Sequence, residues 1–275
     1  MTKQHTGKQH NEKMNRKTFF AKAGLGAAGI LAAPALAAAG TGPSKDKKAT
    51  SPIPKRKLGR NGLMASTLAI GGGSRWTGTD FMPSQDREAY LAEAIGAGVN
   101  YIDTALKYGD SEKLFGEILT DSDRDKLILS TKTPSNTYDG VMADFKLSLR
   151  RLGRDHLDIY LVHNIAMHDS VEGNAEAFKA LLELREAGDV ANIGFSSHGR
   201  VSPSNVPALV KEYDLDHLIL TCGYKWEDYR DVYPQVFEQG CTIAAFKLAR
   251  PFGRNAPHDT VREKFEDVMK RNATS

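Results

Sequence analysis

The stretch Asp103-Thr104-Ala105-Leu106-Lys107-Tyr108-Gly109-Asp110-Ser111-Glu112 puts a carboxylate and a phenol five residues apart at the end of an apolar run. Lys132 closes the strand-like run Leu127-Ile128-Leu129-Ser130-Thr131, and His163 closes Leu157-Asp158-Ile159-Tyr160-Leu161-Val162. All four polar groups stand where a strand is expected to stop. Brought together, an acid, a phenol, an ammonium and an imidazole make a proton-transfer site. A free tyrosine, with a pKa of about 10, holds its proton too tightly for that work near neutral pH. Lys132 is therefore expected to lower the pKa of Tyr108, with Asp103 compensating a lysine charge that burial would otherwise leave unpaired. Singly, each residue has an ordinary structural reading: Lys132 with Asp103 as an ion pair, His163 as a hydrogen-bonded histidine at a strand end. The ordered set of four is what carries the catalytic reading.

The pattern D-T-A-x-x-Y-G-x-S-E, followed by S-T-K and then D-I-Y-L-V-H, resembles the aldo-keto reductase family over residues 55–253. The resemblance puts Asp103, Tyr108, Lys132 and His163 at the positions of the family's catalytic tetrad. It implies an oxidoreductase that reduces an aldehyde or ketone, a small-molecule carbonyl substrate. Tyr108 would act as acid/base, Lys132 and Asp103 would tune it, and His163 would orient the carbonyl. No side chain supplies hydride, so a cofactor is required; the family implies NADPH bound at a barrel mouth, with NADH as the other option. Gly194-Phe195-Ser196-Ser197-His198 lies where the family has G-V-S-N-H, so Ser196 matches the carboxamide-binding serine and Ser197 replaces the asparagine. Thr221 falls where a glutamine is common, and Phe246, equally readable as a core aromatic, falls where a side chain lies against the nicotinamide. Trp76 and Tyr224 are aromatic candidates for a substrate wall. Gly71-Gly72-Gly73 would let the backbone approach a cofactor but lacks the spacing of a dinucleotide fingerprint. The alternative function is a non-catalytic binding or interaction protein of the same family, keeping the tetrad with an incomplete cofactor site.

Positioning these residues takes short apolar runs alternating with longer amphipathic ones, the pattern of repeated βα units and a parallel sheet. Strands are expected near 66–71, 99–103, 127–132, 157–162, 191–195, 217–221 and 242–246. Helices are expected over 86–97, 111–120, 140–152, 171–187, 204–213 and 229–240. Ahead of them, the Asn61-Gly62 turn between short arms signals a hairpin, which in the family closes the bottom of the barrel. With the resemblance, this implies an α/β fold class, a TIM-type (β/α)8 barrel expected to lack its eighth βα unit. Only a polar, helical segment is expected over 254–275. The tetrad follows strands two to four, at the carboxyl-terminal face where barrel enzymes keep their sites. A sheet of seven strands would leave an open edge.

Within its 275 residues the chain reads as an export signal over 1–39, a flexible linker over 40–53 and one barrel domain over 54–275. Arg16-Lys17-Thr18-Phe19-Phe20 precedes an apolar Ala/Gly/Leu run and a small-residue cleavage region at Ala35-Leu36-Ala37-Ala38-Ala39. The Arg-Lys pair resembles a twin-arginine signal with lysine in second place, implying a periplasmic protein without stable membrane insertion after cleavage. Residues 1–39 carry six Lys/Arg against one acid, net +5; subtracting this from the whole-chain +3 leaves −2 for the remainder. A mature domain that is not basic gives no reason to expect nucleic acid. Cys222 and Cys241, the only cysteines, read as small hydrophobes beside apolar runs. No metal site is expected, and a disulfide between the two cysteines stays open.

Overall fold

The computed structural model describes residues 53–77, 84–165, 172–198, 201–221 and 229–246. Contacts divide the chain into Met1–Ser51 and Pro52–Ser275. The first unit lies outside the described residues, and with it the leader and most of the linker. Cys222, Tyr224 and the segment 254–275 lie outside them as well.

Seven strands form one sheet in chain order: β3 Ile70–Gly71, β4 Tyr101–Asp103, β5 Ile128–Thr133, β6 Leu157–Val162, β7 Val190–Ser197, β8 His217–Leu220 and β9 Thr242–Ala245. Every neighbouring pair is parallel. Between them run α1 Ser84–Gly96, α2 Ser111–Ile118, α3 Tyr138–Leu152, α4 Ala175–Ala187, α5 Val206–Glu212 and α6 Val232–Glu238. These are the repeated βα units and parallel sheet expected from the alternating pattern, in the strand order of the (β/α) barrel that the resemblance implied. Among the described residues an eighth strand is absent, and β3 and β9 are the two edges of the sheet.

The inner strands β5, β6 and β8 are buried on both faces, as a parallel sheet covered by helices requires, whereas the edge strand β9 is partly exposed. Alternate residues face opposite ways. Ile102, Leu129, Tyr160, Val162, Ile193, Phe195, Leu218 and Leu220 join the core beneath the helices, while Tyr101, Ile128, Ile159, Leu161 and Ile219 fill a second cluster with Leu58 and Ala65. Leu58 and Ala65 come from the hairpin β1 Lys55–Leu58 and β2 Leu63–Ser66. The hairpin therefore plugs the amino-terminal ends of the strands. The Gly59 amide donates to Thr242 Oγ1 (2.9 Å), Asn61 Nδ2 donates to the Ala191 carbonyl, and Ser66 N donates to Asn100 Oδ1 (2.7 Å). Within the second cluster Tyr101 Oη pairs with His217 Nε2 (3.1 Å), and His217 Nδ1 with Thr242 Oγ1 (2.9 Å).

Element bounds differ from expectation where a cap or a pairing intervenes. The run 66–71 splits, because Ser66 pairs with Lys55 in the hairpin and only Ile70–Gly71 joins the large sheet. Helix α2 stops at Ile118 because Thr120 and Asp123 form a reciprocal capping box for a short helical turn, Asp121–Arg124, which the expected elements omit. Helices α3 and α4 each end at a glycine in the left-handed region, Gly153 (φ 64°) and Gly188 (φ 83°). None of the described helices is long and apolar enough to cross a membrane.

Candidate active site

Asp103 ends β4, Lys132 is the fifth residue of β5, and His163 follows β6 directly. In-register parallel pairing aligns these ends: Asp103 pairs with Ser130, Lys132 with Leu161, and Val162 with Phe195. Tyr108 lies on the loop from β4 to α2. That loop tracks β5, with Thr104 N donating to the Ser130 carbonyl (2.8 Å) and Leu106 N to the Lys132 carbonyl (3.1 Å). Two tight turns, Tyr108 N to Ala105 O (3.0 Å) and Ser111 N to Tyr108 O (3.2 Å), then bring the phenol back over the strand ends. Thr104 Oγ1 meets Ser111 Oγ at 2.7 Å and ties the start of this loop to the start of α2.

Lys132 is 1% exposed. Its ammonium donates to both oxygens of Asp103 (2.7 and 2.6 Å) and to the Thr104 carbonyl (2.7 Å). All three ammonium hydrogens are therefore accounted for. The same nitrogen lies 5.3 Å from the centre of the Tyr108 ring, and the Tyr108 and His163 rings meet edge to face at 5.2 Å. The four side chains expected from the sequence form one cluster.

The electrostatics correct one expectation. The pKa of Tyr108 is pushed up to about 12, first by burial and then by the negative charge of Asp103. Lys132 was expected to lower it. Burial disfavours the charged phenolate, and the carboxylate of Asp103 adds to that effect, so the lysine beside it does not bring the phenol down. The pKa of Lys132 is itself lowered, burial outweighing Asp103. Burial, followed by Lys132, His198 and Lys107, drops His163 to about 3, so its imidazole is neutral at neutral pH. Nδ1 of His163 is buried without a hydrogen-bond partner among the described residues, which leaves Nε2 as the nitrogen able to meet a ligand. A neutral phenol and a neutral imidazole N–H are both hydrogen-bond donors, suited to an oxygen that gains negative charge.

Of the four residues matched to cofactor binding, three carry hydroxyls, and these divide on how the hydroxyl is bound. Ser196 Oγ accepts from Asn164 N (2.9 Å), and its own proton has no acceptor among the described residues. Ser197 and Thr221 are fully buried and bound to the main chain: Ser197 Oγ donates to the Ile165 carbonyl (3.3 Å), and Thr221 Oγ1 donates to the Ser197 carbonyl (3.3 Å). Phe246 follows β9, packs against the inner cluster and lies edge-on to His198 at 4.9 Å. Trp76 is 3% exposed and stacks on Phe115 at 4.5 Å, a core contact rather than a substrate wall. Gly72 serves packing, since a Cβ there would meet Phe115, Ser111 and Thr104.

Sequence reasoning passed over three supports. Ser130 Oγ donates to Asp103 Oδ1 (2.9 Å) from two residues before Lys132, and strand periodicity makes that shared face readable. Thr131 Oγ1 donates to the fully buried Glu112 (2.6 Å) beneath the site. Asn164 lies in the left-handed region (φ 55°), for which the only sequence signal is that Asn tolerates it better than most residues.

The profile of the Aldo/keto reductase family matches residues 67–216, more than half of the chain. An aldo-keto reductase of Mycobacterium sp. (strain KMS) is 36% identical over 148 residues, covering 50% of this chain and 52% of that protein. A D-threo-aldose 1-dehydrogenase of Pseudomonas sp is 34% identical over 189 residues, 56% of either chain. The chain thus spans about half the length of the curated relatives it matches. Among solved structures, a Bombyx mori aldo-keto reductase in complex with NADP is similar with a TM-score of 0.59 at 19% identity, over 76% of this chain and 71% of that one. At that identity the likeness speaks to fold.

Proposed function

The chain belongs to the aldo/keto reductase family, and from that premise we propose that it reduces an aldehyde or ketone to the alcohol at the expense of NADPH. The observation that carries this reading is the cluster itself: Lys132 clasped by Asp103, 5.3 Å from the Tyr108 ring, with His163 edge-on at 5.2 Å. When bound, the reduced nicotinamide supplies the hydride. Ser196 would hold its carboxamide and Phe246 its ring, with Ser197 and Thr221 shaping the wall behind. Nε2–H of His163 orients the carbonyl by donating to its oxygen. As charge develops on that oxygen, the Tyr108 phenol donates its proton. The pKa of the alcohol formed lies well above that of a phenol, so the transfer is downhill even from a phenol at about 12. The Lys132 ammonium, held in place by Asp103, is the cation that faces the phenolate left behind.

The test begins with titration of the purified domain by NADPH and NADH, followed through tryptophan fluorescence, and continues with a panel of aldehydes and ketones. Micromolar binding with turnover that Tyr108→Phe removes supports the proposal. A folded protein that binds neither nucleotide would overturn it in favour of the non-catalytic binding reading.

Residues 16–39 further support a proposal about location: export to the periplasm through a route for folded proteins, with cofactor already bound. Replacing Arg16 by Lys is expected to leave the protein in the cytoplasm on cell fractionation. Protein recovered from the exported fraction is expected to contain nicotinamide, and its repeated absence would contradict loading before export.

A further inference from the structure

Directly after His163 the main chain enters the left-handed region at Asn164 (φ 55°). His163 N still extends the ladder of the sheet, donating to the Thr133 carbonyl at 2.8 Å. One residue later the direction has changed, and the chain addresses β7 instead. Asn164 N donates to Ser196 Oγ (2.9 Å), and Ile165 N donates to the Ser196 carbonyl (3.0 Å). The Asn164 side chain closes the turn, its Oδ1 accepting from His198 N at 3.3 Å. Two successive amides thus grip both oxygens of one serine, and the turn that presents them is the one that aims His163.

The consequence lies in where the Ser196 proton points. A hydroxyl oxygen that accepts an N–H must turn its own hydrogen elsewhere. With Ser196 5% exposed and no acceptor for its proton among the described residues, that hydrogen remains available to a ligand. If Asn164 left the left-handed region, its amide would swing away, the serine would lose its orienting donor, and His163 would lose the fixed exit of its own backbone. We infer that Asn164 is a positioning residue, whose left-handed backbone sets His163 and Ser196 in mutual register and so couples the substrate-oxygen site to the cofactor-carboxamide site. This rests on the reductase reading for the identity of the ligands; the geometric link between the two residues does not.

Glycine adopts the left-handed region freely, whereas a β-branched residue strongly opposes it. Asn164→Gly is therefore expected to keep the turn and lose only the bond to His198, leaving the Kd for NADPH within about threefold of the parent. Asn164→Val is expected to raise that Kd about tenfold and to lower kcat as well. Asn164→Ala serves in its place if the valine variant does not fold. The second readout needs no ligand. In protein labelled with 15N-histidine, the long-range imidazole correlations of His163, assigned by loss in a His163→Asn variant, are expected to stay in place in Asn164→Gly and to move in Asn164→Val. Unmoved signals in a folded valine or alanine variant would overturn the inference, and so would a glycine variant as impaired as valine. Should the parent bind no nicotinamide cofactor, the reductase reading fails, while the imidazole comparison still decides the role of Asn164.

Discussion

At the scale of residues, the phenol and the imidazole are both neutral over the physiological range, for the same cause. Burial raises Tyr108 to about 12 and lowers His163 to about 3. Below 12 the phenol keeps its proton, and above 3 the imidazole lacks its second one. Neither group therefore changes charge between pH 5 and pH 9, and kcat/KM for carbonyl reduction is expected to be flat across that window. A fall centred near 7 would show that one of the two environments is misassigned. Alcohol oxidation needs the phenolate, so its rate is expected to climb about tenfold per pH unit from 7 to 9. Removing the phenolic hydroxyl should be far more damaging. Tyr108→Phe is expected to cost reduction a factor of about 10² to 10⁴, the range for loss of a positioned acid, with the Kd for NADPH unchanged. A variant reducing carbonyls at the parent rate would remove Tyr108 from the mechanism.

At the scale of elements, the site depends on neighbouring strands reaching the same height. The pairing of Gly194 with His217 places β7 against β8, and a Cβ built on Gly194 would overlap the His217 carbonyl. Gly194→Ala must push the two strands apart where Ser196 and Ser197 follow. It is expected to destabilise the fold by about 1–3 kcal/mol, as overpacking does, and to weaken cofactor binding, measurable by denaturant titration alongside nucleotide fluorescence. A variant of unchanged stability would mean that the sheet has room to relax. The alternation of apolar and amphipathic runs made the strands and helices legible, because a parallel sheet buried on both faces demands continuous apolar segments. Their ends were less so. Thr120 and Asp123 form a capping box that stops α2 early, and a four-residue turn there leaves only a short local signature.

At the scale of the whole molecule, buried neutral histidines make the domain sensitive to acid. His217, 1% exposed inside the barrel between Tyr101 and Thr242, is lowered to about 3, chiefly by burial. The unfolded chain takes up the proton below about 6.5, while the folded chain does not until about 3. Folding stability is thus highest above 6.5 and falls with pH through that interval, by about 1.4 kcal/mol per unit for such a group. Glu112 and Asp158, whose carboxyls burial raises, act in the opposite sense, so the comparison needs a variant. The loss of Tm between pH 6.5 and 4.5 is expected to be smaller in His217→Gln than in the parent. Equal losses would mean that His217 is protonated in the fold.

Residue types and their order were enough to point to the family and to the alternating βα units, and to put Asp103, Tyr108, Lys132 and His163 beside neighbouring strand ends, since those ends follow from apolar run lengths. Only the tertiary structure decided how those groups titrate. The pKa of Tyr108 depends on the burial around the ring and on how near the charge of Asp103 lies, and no one-dimensional spacing carries either quantity. The same holds for the hydroxyls. Ser196, Ser197 and Thr221 look equivalent as letters, yet in the fold two of them donate to main-chain carbonyls while Ser196 accepts from an amide and has no acceptor among the described residues, because a hydrogen bond's direction is fixed by which carbonyl or amide arrives from the neighbouring segment.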